Sequence, residues 1–461
     1  MSAIRRSRRK ETCGVRLAVL AGCLMRLFYV IFSTIYDRQY DIGMIDLDAG
    51  HTVTGGHLAY IQYLFENGHL PDFDPTTVYQ FNHPPLHHAI SALWLKFASL
   101  FLKDTAVLEE SLQAVPFVCS LLILAVLLRI VRRFPVEEKT VCFLMTLFAF
   151  HPALVLLSGS VNNDCMSLLL TLLCVDAAMA WSRRPGAGNA VRIALAIGFG
   201  MMAKQNVAEM AFPIAFVFSY ELIRRWREGG LSKAKELFGQ FALFGVISIP
   251  LGMWFYVRNM ILYKMPLVWI YTLPEDSWQY TGDVSVIHRF LWPVPSEMVD
   301  NLLHFRLGCG YNVWMQIIRT SVLGEWDMAD VGRGVKALAV LLMLTGAALA
   351  AAAFVSFLSV FVFRIGRAGK AGRGAILTAD RILFVSGYFV NLLFYLKFAY
   401  DYPQECSMHF RYIEIELLFP AVALGFVWQN CGRKWAKCAL AALLAAFCAL
   451  SAAMTAVWCL G

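Results

Sequence analysis

Positions 37–48 hold four aspartates, Asp37, Asp41, Asp46 and Asp48, and positions 51–88 hold six histidines, His51, His57, His69, His83, His87 and His88. Only 16% of the 461 residues are charged, so this concentration of titratable groups stands out. An exposed aspartate is ionised at neutral pH and accepts a proton from a hydroxyl. Any one of these aspartates taken alone reads equally well as part of a solvated loop.

The run Gln80-Phe81-Asn82-His83-Pro84-Pro85-Leu86-His87-His88 is more specific. Paired prolines fix the backbone just ahead of a helix start, which would hold His83 in one place. His83 and His87 have helical metal-ligand spacing, but Pro84 and Pro85 lie between them. No metal site is therefore assigned and no cofactor is called for. A divalent metal ion is the single candidate.

Further polar groups interrupt apolar stretches. They are Asn162-Asn163-Asp164, Lys204-Gln205-Asn206, Arg258-Asn259 and His409-Phe410-Arg411-Tyr412. Each alone reads as an ordinary helix end, but ionisable residues at membrane depth are costly and mark candidate sites. Lysine and arginine gathered there would suit an anionic phosphate. Arg26, within the first apolar run, reads as a packing residue or a contact to a lipid headgroup.

The elements that must position these groups are membrane helices. Hydrophobic residues make up 59% of the chain, and apolar stretches reach the ~20 residues a spanning helix needs. Eleven long apolar segments start near Val15, Leu112, Thr140, Asp164, Ala190, Asn206, Phe238, Val335, Arg381, Arg411 and Lys437. A shorter one, from His87 to Lys103, carries Lys96. The formal net charge of +8 does not point to nucleic acid, because most Lys and Arg sit in short clusters between apolar segments. If the His87 segment lies in the interface, those clusters all fall on the cytoplasmic side. If it crosses, every later cluster moves outside.

The expectation is an all-α polytopic protein of about eleven spans, residues 1–461 forming a single membrane domain. The N-terminus is cytoplasmic and uncleaved, and the active face is extracytoplasmic at the plasma membrane. Two outer segments follow, residues 37–111 with the acids and histidines, and residues 258–334, rich in tryptophan. The 12 cysteines contain no Cys-x-x-Cys pair, and those in apolar runs read as small apolar residues.

In this order the motifs resemble the GT-C glycosyltransferases, especially the family 39-like bacterial membrane proteins related to protein O-mannosyltransferases and lipid A aminoarabinose transferases. The likeness covers about residues 15–430. It is carried by the acids Asp41 to Asp48, by Gly56-His57-Leu58-Ala59-Tyr60-Ile61, by His83-Pro84-Pro85-Leu86 and by Ser158-Gly159-Ser160-Val161-Asn162-Asn163-Asp164. Trp254-Phe255-Tyr256-Val257-Arg258-Asn259 and Phe410-Arg411-Tyr412 complete it. The resemblance implies transfer of a sugar from a polyprenyl-phosphate donor to a lipid, glycan or protein acceptor, with an aspartate as general base. His57, His83, Asp164, Lys204, Arg258 and Arg411 would bind substrate. Family members often carry an adjacent Asp-Glu pair, whereas here the aspartates are spaced. The base is therefore one of Asp41, Asp48 and Asp46, with Asp41 favoured by the constrained turn Tyr40-Asp41-Ile42-Gly43. A secondary transporter is the competing reading. It would place its polar groups at the midplane of repeated halves, and this sequence shows no such repeat.

Overall fold

The computed structural model describes residues 2–35, 55–292, 310–326, 328, 330–364 and 376–460, with side chains from Cys13 onward. The candidate acids Asp41, Asp46 and Asp48 lie outside the described residues.

The described chain is helical. In order, the helices are α1 Ser2–Phe32, α2 His57–Asn67, α3 Leu86–Ala98, α4 Thr105–Glu110, α5 Ala114–Arg132, α6 Glu138–Phe150, α7 Pro152–Leu156 and α8 Asp164–Arg183. They continue as α9 Ala187–Ala203, α10 Ala211–Tyr263, α11 Val286–Phe290, α12 Val313–Leu323, α13 Arg333–Phe357, α14 Thr378–Asp401, α15 Leu418–Asn430 and α16 Lys434–Leu460. Seven helical stretches among the described residues are long and apolar enough to cross a membrane. One of these contains α10, which is two arms joined at Gly229-Gly230. Gly230 there takes φ +62°, a conformation glycine adopts without a Cβ penalty. The separate apolar segments read near Asn206 and Phe238 correspond to these arms.

The helices pack in an unbroken chain of neighbours. α10 lies on α9, α9 on α8, α8 on α5, and α1 against α6 and α5, while α13 carries α15 and α16. Between them runs one apolar core that includes Trp181, Phe148, Phe357 and Phe384. Large apolar side chains also face outward, among them Leu24, Ile31, Val246 and Leu393, as lipid-facing helices require.

α3 is built differently. Its 13 residues span about 20 Å at 1.5 Å per residue, short of a ~30 Å hydrocarbon core. One face buries His87, His88, Ser91 and Leu95, and the other exposes Ile90, Leu93 and Phe97. That amphipathic division suits a helix lying in the interface plane.

Two apolar segments break where the sequence reads as continuous. The one from Thr140 stops at Phe150 and resumes as α7, because Pro152 cannot donate the hydrogen bond that would continue the ladder. Arg26 caps the break. It is fully buried and donates to the Ala149 carbonyl at 2.9 Å, to Phe148 at 3.3 Å and to the Ser120 hydroxyl at 2.8 Å. Arg26 is thus a packing residue that satisfies a helix end. The segment from Arg411 opens not as helix but as tight 3₁₀ turns over Phe410–Tyr412 and Glu414–Leu417, and α15 begins only at Leu418.

Candidate active site

Three helix ends meet at one polar point. α9 ends at Ala203, and Lys204 follows in extended conformation before the chain turns into α10. The turn at 158–164 is locked to that end, since the Asn163 amide donates to the Ala203 carbonyl at 2.9 Å. Asn162 accepts from the Asp164 backbone at 3.0 Å. Asp164 opens α8, where a helix N-terminus favours a carboxylate, and it forms an ion pair with Lys204. The polar turn Ser158–Asp164 therefore holds Lys204 in place.

Arg411 arrives from the turn Phe410–Tyr412. That turn is pinned to α12 by the Phe410 amide, which donates to the Thr320 hydroxyl at 2.8 Å. The Arg411 guanidinium lies over the Tyr412 ring at 5.0 Å and 3.8 Å from Glu325. Lys204 faces the same ring at 4.7 Å. His409 meets the same Glu325 oxygen at 3.1 Å.

These groups line a cavity of about 910 Å³. His83, Lys204, Arg411, Glu325, His409 and Glu405 share its walls with Phe212, Val268, Trp269, Trp278 and Phe394, and Glu209, Lys397 and Asp401 line it too. Glu405 is buried and pairs with Arg319 at 3.3 Å. The turn carrying it is stitched to the Trp-rich segment by the Glu405 backbone amide donating to the Gln279 carbonyl at 2.8 Å and the Thr281 backbone amide donating to the Pro403 carbonyl at 2.8 Å.

His83 reaches the cavity from a histidine stack. His57 lies 5.2 Å from the His83 ring and 5.1 Å from His88, and the His57 Nδ1 and His88 Nε2 atoms share a hydrogen bond of 2.8 Å. Burial, with Lys204 adding to it, pushes His83 down to about 3. Burial takes His87 to about 4 and holds His57 and His88 well below the ordinary imidazole range. The stack is neutral at physiological pH, so His83 offers a polar nitrogen rather than a charge. α2 starts against the wall because Gly56 donates to the Tyr79 carbonyl at 2.9 Å. Gly55, at φ +139°, sits so close that a Cβ would meet that oxygen at 2.6 Å.

The structure thus brings His83, Lys204 and Arg411 to one cavity, with His57 behind His83 and Asp164 behind Lys204. It does not bring Arg258 there. Arg258 donates to the Pro71 carbonyl at 2.7 Å and to Asn259 at 2.8 Å, and is absent from the lining. Glu325 and Glu405 carry no sequence signal, because their cationic partners lie more than eighty residues away. Among the described residues no group of three or more His, Cys, Asp or Glu side chains is arranged to hold a metal ion.

The family model described as dolichyl-phosphate-mannose-protein mannosyltransferase matches residues 82–254, the stretch carrying His83, Asp164 and Lys204. The oligosaccharyltransferase of Archaeoglobus fulgidus, in complex with zinc and sulfate, superposes with a TM-score of 0.51 over 96% of this chain at 12% identity. The fold is that of the GT-C glycosyltransferases. The same oligosaccharyltransferase tethered to an acceptor peptide gives a TM-score of 0.50 at 11% identity, over 96% of this chain. This GT-C chain spans about half the length of those oligosaccharyltransferase chains, 53% and 55%. ArnT from Cupriavidus metallidurans, in the apo state, aligns over 95% of this chain and 76% of its own at 14% identity and a TM-score of 0.39. Curated protein sequences give no match. With its apolar helices, the GT-C fold makes this a multi-pass membrane protein.

Proposed function

We propose that this protein transfers a sugar from a polyprenyl-phosphate donor to a lipid, glycan or protein acceptor at the extracytoplasmic face of the plasma membrane. The observation that carries this reading is a single cavity whose lining combines the cations Lys204 and Arg411 with apolar and aromatic side chains such as Phe212, Trp269 and Phe394. A lipid phosphate needs both kinds of wall. The match to a family described by a dolichyl-phosphate-linked sugar supports the donor class.

In this mechanism Lys204 and Arg411 hold the donor phosphate and stabilise the charge it gains on leaving. His83, neutral, donates a hydrogen bond without adding charge. An aspartate takes the proton of the acceptor hydroxyl. The acceptor oxygen then bonds to the anomeric carbon, and the bond to phosphate breaks with its electron pair going to the phosphate oxygen. A single displacement of this kind inverts the anomeric centre. Asp41 is the base we favour, then Asp48, then Asp46. The chain leaves that segment at Gly55, which pairs with Tyr79 on the cavity wall.

The test uses proteoliposomes holding the full chain and a panel of polyprenyl-phosphate sugars. A transferase cleaves the sugar–phosphate bond, so free polyprenyl phosphate accumulates in step with glycosylated acceptor. A transporter moves the donor across intact, and relocation without cleavage would overturn the proposal.

A further inference from the structure

The turn that delivers His83 carries two further polar side chains to the cavity. The Phe81 amide donates to the Val78 carbonyl and the His83 amide to the Gln80 carbonyl, each at 3.2 Å, so the backbone from Val78 to His83 is a closed turn. Phe81 points into the fold, where it is 4% exposed and stacks on Tyr60 at 4.8 Å. The residues on either side of it, Gln80 and Asn82, line the cavity and are each 8% exposed. Neither side-chain amide has a hydrogen-bond partner among the described residues. Both thus contribute no hydrogen bond to the fold, although a buried amide without a partner is costly.

Gln80 is costly in a second way. Its backbone takes φ +67°, the left-handed conformation that a side chain disfavours and glycine adopts freely. The turn is held there from outside, because the Gly56 amide donates to the Tyr79 carbonyl at 2.9 Å. A strained glutamine with an unpartnered amide fits a ligand contact better than a packing role.

Each amide offers N–H donors and a carbonyl acceptor and carries no charge. That set complements hydroxyl groups, which donate and accept in turn. A phosphodiester only accepts, and a hydrocarbon tail would leave both amides unpaired. Aromatic rings share the wall. Tyr79 and Tyr271 meet at 5.0 Å, Trp269 lies 6.3 Å from Tyr271, and all three line the cavity. Flat rings suit the C–H face of a sugar, and the amides suit its hydroxyl rim. His83, which follows Asn82 directly, is close enough to Lys204 and Arg411 to feel both charges. In a sugar phosphodiester the ring is bonded to the phosphate itself, so the groups that hold the two must be neighbours.

We propose that Gln80 and Asn82 form the subsite for the donor's sugar, hydrogen-bonding its ring hydroxyls and so setting which sugar is accepted. The proposal rests on the donor reading above and adds to it the contact that reads the sugar.

The experiment is calorimetric titration of the full chain in nanodiscs with farnesyl methyl phosphate and with farnesyl phosphate esters of a panel of pentoses and hexoses. The methyl ester supplies the phosphodiester without a sugar. No acceptor is present, so a gain in affinity over the methyl ester belongs to the donor sugar. At least one sugar ester should bind about tenfold or more tighter than the methyl ester. Gln80→Gly and Asn82→Ala should each remove about fivefold to tenfold of that gain, the worth of one hydrogen bond, and leave methyl-ester affinity within about twofold. Gln80→Gly also relieves the left-handed backbone, so its thermal midpoint should equal or exceed the parent's, which separates a lost contact from lost folding. A gain retained in full by both variants overturns the proposal alone. So does a wild-type protein that binds the methyl ester as tightly as every sugar ester. Equal weakening of sugar and methyl esters in the variants would assign the amides to the phosphate or the tail, and overturns it too. No binding of any ester overturns the donor reading, and this proposal with it.

Discussion

The Lys204 ammonium stands 4.7 Å from the centre of the Tyr412 ring. The Arg411 guanidinium lies 5.0 Å from the same ring. One electron-rich aromatic ring thus attracts two cations. Both cations line the cavity that Phe212, Trp269 and Phe394 also line.

That pair is expected to hold the donor phosphate. Replacing either Lys204 or Arg411 by Ala should cost about 1.5–3 kcal/mol, the loss of one charge-assisted contact, or about tenfold to 150-fold in affinity. Titration with an isoprenyl phosphodiester measures this. Unchanged affinity in both variants would remove the pair from the site.

Arg258 should behave otherwise. It holds the Pro71 carbonyl at 2.7 Å and does not line the cavity. Arg258→Ala should lower stability by about 1–3 kcal/mol through the stranded carbonyl while leaving phosphodiester affinity within about twofold. An affinity loss as large as that of Lys204→Ala, at unchanged stability, would place Arg258 at the phosphate.

The histidine stack predicts acid lability. Burial lowers His83 to about 3 and His87 to about 4, and lowers His57 and His88 well below 6.5. The unfolded chain takes up protons at these positions below pH 6.5, and the folded one does not. Stability is therefore complete above pH 6.5 and falls as pH drops toward the folded values, by about 1.4 kcal/mol per imidazole per pH unit. His88→Gln should flatten the fall in thermal midpoint between pH 6.5 and 5 by one proton's worth. An equal slope in the variant would show that His88 is already charged in the folded state.

Much of this architecture is legible in the sequence, and what is not has identifiable causes. Hydropathy marks the helices, and the separate apolar starts near Asn206 and Phe238 match the two arms of α10. Lys204 and Arg411 are visible because each follows or opens an apolar stretch. Arg258 gives the same local signal, yet its partner is Pro71, 187 positions away. Glu405 looks like a loop carboxylate until Arg319 is found beside it, 86 positions earlier. The pairing of His57 with His88 across 31 positions is equally invisible to spacing. Local pattern reports which groups are near a helix end. Only the packing of α2 on α3, and of α12 under the turn at 410–412, decides which of them share a cavity.

The orientation is a separate expectation, drawn from the basic clusters and from α3 lying in the interface. It gives a cytoplasmic N-terminus, eleven spans and an outer C-terminus. A reporter fused after Gly461 should be active outside the cytoplasm. Activity inside would mean that α3 crosses after all or that another span has been counted wrongly.

The chemistry itself rests on the acids of the first outer segment. The most direct test is single-turnover transfer of labelled sugar by Asp41→Asn, Asp46→Asn, Asp48→Asn and Asp37→Asn, each keeping the side-chain shape while removing the basic function. Asp41→Asn should insert and bind donor normally yet transfer about 10²–10⁴-fold more slowly, the usual contribution of a general base. Asp37→Asn should be nearly silent. Transfer at the parental rate by all four variants would contradict the account and make a transporter the better description.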